Sequence, residues 1–236
     1  MPVLNNTDLD QVTLPNSHYG YSATRLEDLG ATEYTIATIV CDVSGSTAAF
    51  TFDMESAINK IVQACKFSPR ADNLLLRLVA FDDNLSELHG FKLLENCNLV
   101  DYGGVLRSGG STALYDAAEN AIASTINYGQ KLAGGDFSAN AIFFVLTDGM
   151  DNASKLPARS VKDALARAAR ARSDRCLASK SLCSSSPILR WWTSGPRNRK
   201  RKTRECERAS ISWLVSLKEL TSPSRLVAVM NRSRYC

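Results

Sequence analysis

The chain has 236 residues, 44% of them hydrophobic and 22% charged, so it is long enough for one ordinary α/β domain with residues to spare. This balance excludes an intrinsically disordered protein, and no uninterrupted apolar stretch approaches the roughly 18 residues that a membrane-spanning helix needs. Arg25 is the first basic residue, and no positively charged segment followed by an apolar core opens the chain. The sequence therefore predicts a cytoplasmic protein with no secretory signal and no membrane segment.

Charge and patterning divide the chain near Arg172. Residues 1–172 carry 14 Lys/Arg against 20 Asp/Glu, whereas residues 173–236 carry 14 Lys/Arg against 4 Asp/Glu. Apolar residues are well patterned before this point and poorly patterned after it. We therefore predict an irregular N-terminal arm over residues 1–33, a folded domain over residues 34–172, and a basic, serine-rich tail over residues 173–236.

The first half of the predicted domain alternates strand and helix signals. Thr35–Cys41 is a β-branched, apolar run typical of a buried strand. Leu74–Phe81 predicts a second strand, and after a short acidic turn Leu85–Phe91 can return as its hairpin partner. Between the first two strands, apolar residues recur at helical spacing: Met54, Ile58, Ile61, Val62 and Cys65.

The second half continues the alternation. A helix is predicted from the apolar face that begins at Leu114, and Ala141–Leu146 is the strongest strand signal in the chain. Ser160 is predicted to cap a last helix that ends near Arg172. Strands that alternate with helices favour a doubly wound, mostly parallel, Rossmann-like sheet with helices on both faces. A sheet that is incomplete at its C-terminal edge is the alternative.

Oxygen-bearing side chains follow the predicted strands at points that meet at one edge of such a sheet. The first strand runs directly into Asp42, Ser44 and Ser46; Thr112 follows the Gly109-Gly110 loop; and Asp148 follows the Ala141–Leu146 strand. Carboxylate and hydroxyl oxygens are hard ligands suited to Mg²⁺, Mn²⁺ or Ca²⁺. The sequence therefore predicts a divalent-metal site with room for a carboxylate from another molecule, which suits binding an acidic partner rather than breaking a bond.

These five positions, Asp42-x-Ser44-x-Ser46, Thr112 and Asp148 in Thr-Asp-Gly, resemble the metal-ion-dependent adhesion site of the von Willebrand factor A family. The resemblance covers about residues 34–172. It implies that the two serines and the threonine bind the ion directly or through water, while the two aspartates support it, often through water. It also implies a protein ligand that presents Asp or Glu. Because no signal sequence is recognised, the protein resembles the intracellular, bacterial-type branch of this family more than its extracellular adhesion proteins. This step is an argument by analogy.

The C-terminal tail departs from the family pattern. Ile211–Leu217 and Leu226–Met230 are the only plausible strand or helix cores after the predicted domain. A tail translated in a shifted reading frame would explain the abrupt change, and a native but atypical tail is the alternative. The basic run of residues 197–204 leaves nucleic-acid binding open as a second function, although a solvated segment explains it as well.

Enzyme motifs are missing, so we expect a non-enzymatic protein. The sequence has no phosphate-binding G-x-x-x-x-G-K-[ST] loop and no G-x-S-x-G nucleophile elbow. A magnesium-dependent hydrolase that uses the same oxygens remains the third alternative. Asp82 and Asp83 are interpreted as a solvated turn, Asp151 and Asn152 as turn residues, and Asp116 as a residue that complements its helix dipole.

Overall fold

Seven strands and three α-helices make up the computed structural model, which describes residues 9–14, 19–147, 151–178 and 226–229 of the chain. The strands are β1 (Asp10–Thr13), β2 (Gly20–Ala23), β3 (Glu33–Asp42), β4 (Leu74–Phe81), β5 (Leu85–Leu93), β6 (Ser138–Leu146) and β7 (Leu226–Val229). The helices are α1 (Thr51–Lys66), α2 (Leu114–Gly134) and α3 (Ala158–Ala178). The predicted segment Ile211–Leu217 lies outside the described residues.

The strands form one mixed sheet in the order β1-β2-β5-β4-β3-β6-β7. β3 runs parallel to both β4 and β6, and β2 meets β5 in parallel. The β1–β2, β4–β5 and β6–β7 pairs are antiparallel. The prediction of a doubly wound, mostly parallel sheet was therefore wrong, because antiparallel and parallel pairings are equally frequent among the described strands.

Short connections explain why the sheet is mixed. β4 and β5 are joined by the three residues Asp82 to Asn84, and a parallel neighbour would need a crossover of roughly a dozen residues or more. The hairpin predicted for Leu74–Phe81 and Leu85–Phe91 is confirmed. A hairpin makes its two strands antiparallel, and the predicted fold class did not take this into account. The central strands β4, β3 and β6 run parallel to one another, so their carboxyl ends lie at the same edge of the sheet.

The central strand β3 is buried on both faces, which is why its sequence is almost continuously apolar. Ala37, Ile39 and Cys41 share a cluster with the apolar face of α1. The alternate residues Ile36 and Val40 pack with residues of α2 on the other face. The helical spacing predicted for α1 is confirmed, since four of its five apolar positions are buried: Met54, Ile58, Ile61 and Val62.

Two local predictions differ from the structure. The N-terminal segment predicted to be irregular contains β1 and β2, which form a hairpin at the edge of the sheet. These strands of four residues are too short to show a clear alternating pattern. Ser160 lies in the first turn of α3 rather than at its cap, because the helix begins at Ala158, directly after Pro157. The Ser160 amide donates to the Pro157 carbonyl over 2.9 Å.

A buried ion pair connects β4 and β5 on the face that α2 covers. Arg77 is 1% exposed, and its Nε donates to Oε1 of Glu87 over 2.5 Å. The other carboxylate oxygen accepts from the backbone amide and the hydroxyl of Ser22, at 2.9 and 2.6 Å. Burial lowers the pKa of the Arg77 guanidinium, and the Glu87 carboxylate opposes that shift. Glu87 therefore neutralises a buried cation and also ties β2 to the sheet.

We expect Glu87→Gln to lower the free energy of unfolding by about 3–5 kcal/mol, because it leaves the buried guanidinium without its counter-charge. Urea unfolding followed by circular dichroism measures the change. The matched control is Asp10→Asn, whose partner Arg25 lies in an exposed pair, so the urea midpoint should hardly move. Equal small losses in both variants would show that the Arg77 pair contributes no more than a surface pair.

A buried histidine lies on the sheet face that contacts α1. His89 is 0% exposed, with Nδ1 at 2.9 Å from the Gly90 carbonyl oxygen and Nε2 at 3.1 Å from the Tyr102 hydroxyl. Burial lowers the pKa of His89 to about 3, because the charged ring would lose its hydration. His89 is therefore neutral in the folded protein at physiological pH.

This burial makes stability depend on pH. The unfolded chain takes up a proton on His89 below a pKa of about 6.5, whereas the folded chain resists protonation down to about 3. The free energy of unfolding should therefore fall with decreasing pH across this window, by up to about 1.4 kcal/mol per pH unit from this group. Urea unfolding at several pH values should show a shallower slope for His89→Gln than for wild type. An unchanged slope in His89→Gln would contradict the assignment.

Candidate metal centre

The candidate site lies at the edge where the parallel strands β4, β3 and β6 end. Asp42, the last residue of β3, lies beside Phe81, the last residue of β4. Cys41 lies beside Leu146, the last residue of β6. The segment that follows β6 therefore begins next to Asp42, as expected for parallel strands in register.

Asp42 is fully buried and its carboxylate joins two of these segments. Oδ1 accepts the backbone amide of Ser44 over 2.9 Å, and Oδ2 accepts the hydroxyl of Thr147 over 2.7 Å. None of the ion pairs that the structure describes includes Asp42. A buried carboxylate that has hydrogen bonds but no cation beside it is a favourable place for a metal ion.

The turn that follows Asp42 brings two hydroxyls close together. Ser44 is buried and Ser46 is exposed, and their Oγ atoms are 3.2 Å apart. The 3₁₀ turn Gly45–Phe50 sets this spacing, and the Thr47 hydroxyl closes the turn by donating to the Ser44 carbonyl over 2.8 Å. Two ligands bound at right angles to Mg²⁺, each at about 2.1 Å, are about 3 Å apart. The two hydroxyls therefore fit neighbouring positions around one small divalent ion.

The loop that carries Thr112 is bonded to this turn through the main chain. The Gly45 amide donates to the Gly110 carbonyl over 3.0 Å, and the Gly109 amide donates to the Val43 carbonyl over 2.7 Å. Thr112 itself is 3% exposed and lies two residues before α2. These two bonds bring Thr112 to the same edge as the turn, although the sequence separates the two loops by more than sixty residues.

The acidic turn after β4 supports the Thr112 loop. Oδ1 of Asp83 accepts the Ser111 amide over 2.9 Å, and the Asp82 carbonyl accepts the Ala113 amide over 2.9 Å. The interpretation of these two aspartates as a solvated turn missed this supporting role. A signal was available, because the turn follows a strand that ends at the same edge as Asp42.

Residues 151–156 form hydrogen bonds with the Thr112 loop and with the first turn of α2. The Thr112 amide donates to Oδ1 of Asn152 over 2.7 Å, and the Asn152 amide donates back to the Thr112 carbonyl over 3.0 Å. Asp116, in the first turn of α2, accepts the amides of Lys155 and Leu156 at 3.0 and 2.9 Å. Asn152 and Asp116 thus hold residues 151–156 against the Thr112 loop and the start of α2. Neither role was predicted from the sequence.

Of the five predicted ligands, Asp42, Ser44 and Ser46 are joined by direct hydrogen bonds, and Thr112 reaches the same edge through its loop. Asp148 lies outside the described residues, between Thr147, which bonds Asp42, and Asp151, which accepts a long bond of 3.4 Å from the Tyr115 amide. The described part of the chain holds no group of three His, Cys, Asp or Glu side chains placed to bind a metal. Within that part, the candidate site consists of one carboxylate and three hydroxyls.

Comparison with known proteins finds no matching family model and no matching curated protein. The pilus adhesin SpaC from Lactobacillus rhamnosus GG is 14% identical, with a TM-score of 0.38 over 64% of this chain and 20% of that one. The vWF domain of the type V pili tip protein Mfa5 from Porphyromonas gingivalis is 14% identical, with a TM-score of 0.36 over 52% and 40%. Proximal thread matrix protein 1 from the mussel byssus is 21% identical, with a TM-score of 0.37 over 58% and 33%. This chain thus spans less than half of each of these structures.

These partial overlaps correct one prediction. The solved structures that overlap this chain include a pilus tip protein, a minor pilin and a pilus adhesin. The cytoplasmic location predicted from the first residues is contradicted by them and is withdrawn. Among the residues that the structure describes, no helix has the length and apolar character needed to cross a bilayer.

Replacing either of two glycines that have a φ of +68° by alanine should lower the free energy of unfolding, and by different amounts. Gly104→Ala should cost about 1–2 kcal/mol, because a Cβ there meets open space and only the left-handed backbone is strained. Gly110→Ala should cost about 1–3 kcal/mol more, because its Cβ would lie 2.9 Å from Asp83 Oδ2 and 3.2 Å from Asp82 Cβ. Urea unfolding of the two variants tests this ranking. Equal losses would mean that the acidic turn moves aside readily.

Proposed function

We propose that the chain is a divalent-metal-dependent protein-binding module that grips an acidic side chain of a partner. The metal would be Mg²⁺, or alternatively Mn²⁺ or Ca²⁺, held by Asp42, Ser44, Ser46, Thr112 and Asp148. The observation that carries the proposal is the fully buried Asp42 carboxylate, which has no described ion-pair partner and is followed by a turn whose two serine hydroxyls are 3.2 Å apart. Asp148 enters the proposal from the sequence motif alone.

The exposure of the site residues fits capture of a ligand from solution. Ser46 is exposed, whereas Asp42, Ser44 and Thr112 are buried. A bound divalent ion supplies an electrophilic centre whose coordination an incoming carboxylate can complete. The chain's own contribution is rigidity, because the three loops are joined by backbone and side-chain hydrogen bonds before any ligand arrives.

The described residues favour binding over hydrolysis. His89 is buried with both ring nitrogens facing hydrogen-bond partners, so it does not serve the serines as a base. Asp42 is occupied by bonds to its own loop and to Thr147. His89 is therefore not the base of a magnesium-dependent hydrolase, and the nucleic-acid alternative rests on basic residues outside the described part of the chain.

Calorimetric titration of the full chain with Mg²⁺ and Mn²⁺ tests metal binding. We expect wild type to bind at least one ion at millimolar concentration or below, and Asp42→Ala to lose binding, because its carboxylate anchors the site. Asp148→Ala should weaken binding in the same direction. Asp53→Ala is the matched control, because this exposed aspartate lies in the first turn of α1 and outside the site. A wild-type chain that is folded by circular dichroism and binds neither ion would refute the proposal.

A second arm of this experiment tests the acidic ligand. Immobilised random peptides that each carry one Asp or Glu are compared with the same peptides carrying Asn or Gln. Retention should require both the carboxylate and the metal, and it should disappear with chelator. Retention that ignores chelator but falls steeply with salt would instead indicate the basic tail.

A further inference from the structure

Two exposed side chains lie beside the candidate metal centre and take no part in its described contacts. Phe52, in the first turn of α1, is 81% exposed, and Arg107, in the loop that leads to Thr112, is exposed as well. An aromatic ring in water is unfavourable, because apolar surface gains free energy when it is buried. Aromatic residues and Arg are also the residue types that protein interfaces enrich. The two side chains therefore require an explanation of their own.

A hydrogen bond holds the segments that carry these side chains next to each other. Oγ1 of Thr51 lies 2.9 Å from Oγ of Ser108. Phe52 follows Thr51 in the chain, and Arg107 precedes Ser108. The aromatic ring and the cation thus belong to one surface, which we call the Phe52–Arg107 rim.

The helical repeat places Phe52 on the side of α1 that faces this loop. The Glu55 carboxylate accepts the amides of Gly104 and Leu106 at 2.9 and 3.1 Å, so Glu55 marks the side of the helix that contacts the loop. At 3.6 residues per turn, Phe52 lies about 60° around the helix from Glu55, whereas Asp53 lies about 160° away. Phe52 therefore borders the loop, and Asp53 does not.

Both side chains lie within reach of a short peptide bound at the metal ligands. Six residues of 3₁₀ turn and α-helix separate Ser46 from Phe52, which is about 12 Å or less along the helix axis at about 2 Å per residue. Gly109, two residues after Arg107, donates its amide to the Val43 carbonyl over 2.7 Å, and Arg107 and Val43 line the same shallow recess. About four residues of extended peptide span 12 Å. Neighbours of a metal-bound residue can therefore contact the rim.

Arg107 supplies the positive charge of this rim. It belongs to none of the ion pairs that the structure describes. The nearby acidic turn uses its carboxylates internally, because Asp82 accepts the Asn84 amide over 2.8 Å and Asp83 accepts the Ser111 amide over 2.9 Å. A second carboxylate of a ligand is attracted at Arg107 and repelled beside the acidic turn.

We propose that the Phe52–Arg107 rim determines which acidic partner binds. The metal takes one acidic residue, Phe52 packs against an apolar side chain of the same segment, and Arg107 pairs with a second carboxylate. This inference rests on the proposed function, because the metal-bound residue sets the position of the segment. The partner is a protein segment in which an apolar residue and a second acidic residue lie within about four positions of the metal-bound one.

The test compares four sets of synthetic peptides for binding to the full chain in Mg²⁺ or Mn²⁺, whichever ion the chain binds. Each peptide has one central Asp in a Gly-Ser sequence. The second set adds one Leu, the third adds one Glu, and the fourth adds both, at every position up to four residues from the Asp. At the best position, Leu and Glu should each tighten binding by about threefold to tenfold, because a small apolar contact and an exposed ion pair each contribute modestly. Fluorescence anisotropy measures the dissociation constants.

Single variants separate the two contributions, and matched variants control for them. Phe52→Ala should lose the gain from Leu and keep the gain from Glu, whereas Arg107→Gln should do the reverse. Phe67→Ala and Arg70→Gln should keep both gains. Phe67 and Arg70 are exposed residues of the same types, but they lie between the end of α1 and the start of β4, at the opposite edge of the sheet.

The outcomes distinguish this inference from the proposed function. Metal-dependent binding of the single-Asp peptides without any gain from Leu or Glu would overturn the inference and leave the proposed function intact. Either gain, if it persists in the variant that removes its contact or disappears in a matched control, would overturn the inference as well. Failure of a metal-bound chain to bind any of the four sets would reject the acidic ligand itself, and the role of the rim with it.

Discussion

The carboxylate of Asp42 is the contact on which the arrangement of the sheet edge depends. One oxygen holds the turn that follows β3, and the other holds the first residue after β6. Two segments more than a hundred residues apart are thereby joined at one buried side chain. The Thr112 loop then docks onto the same turn through the main chain. The site is therefore assembled by the protein itself, and Asp42 contributes to the fold as well as to the proposed metal binding.

Two buried charges in this sheet are handled in opposite ways. Arg77 lies against Glu87 and is neutralised within the protein. Asp42 accepts two hydrogen bonds but belongs to none of the described ion pairs. Burying a carboxylate without a counter-charge is costly, and the proposed metal ion would supply that charge at Asp42. This contrast distinguishes the structural pair from the candidate site more clearly than burial alone does.

Periodicity and turn chemistry predicted the local elements well. The strand at Thr35–Cys41, the helix through Met54 and Val62, and the hairpin after Phe81 are all present. These features depend on residues close in sequence, which is why a single sequence reveals them. The overall sheet was predicted wrongly, because strand direction depends on every connection and β1 and β2 gave no readable pattern.

The candidate site shows the same limit. The sequence motif predicted Asp42, Ser44, Ser46 and Thr112 as site residues. It did not predict the residues that position them. Asn152 binds a residue 40 positions away, and Asp83 one 28 positions away, and neither contact leaves a local signature. A polar residue in a turn can simply face water. Only the structure shows whether its side chain instead accepts a hydrogen bond from a neighbouring loop, as Asp83 and Asn152 do.

The turn after β3 and the Gly109-Gly110 loop meet through backbone atoms. Gly45 and Gly110, and likewise Gly109 and Val43, are joined by hydrogen bonds between amide and carbonyl groups. The exposed side chains on the rim, such as Arg107 and Ser111, can therefore be exchanged without dismantling the scaffold. Such a division allows related chains to diverge in partner choice while they retain one common architecture.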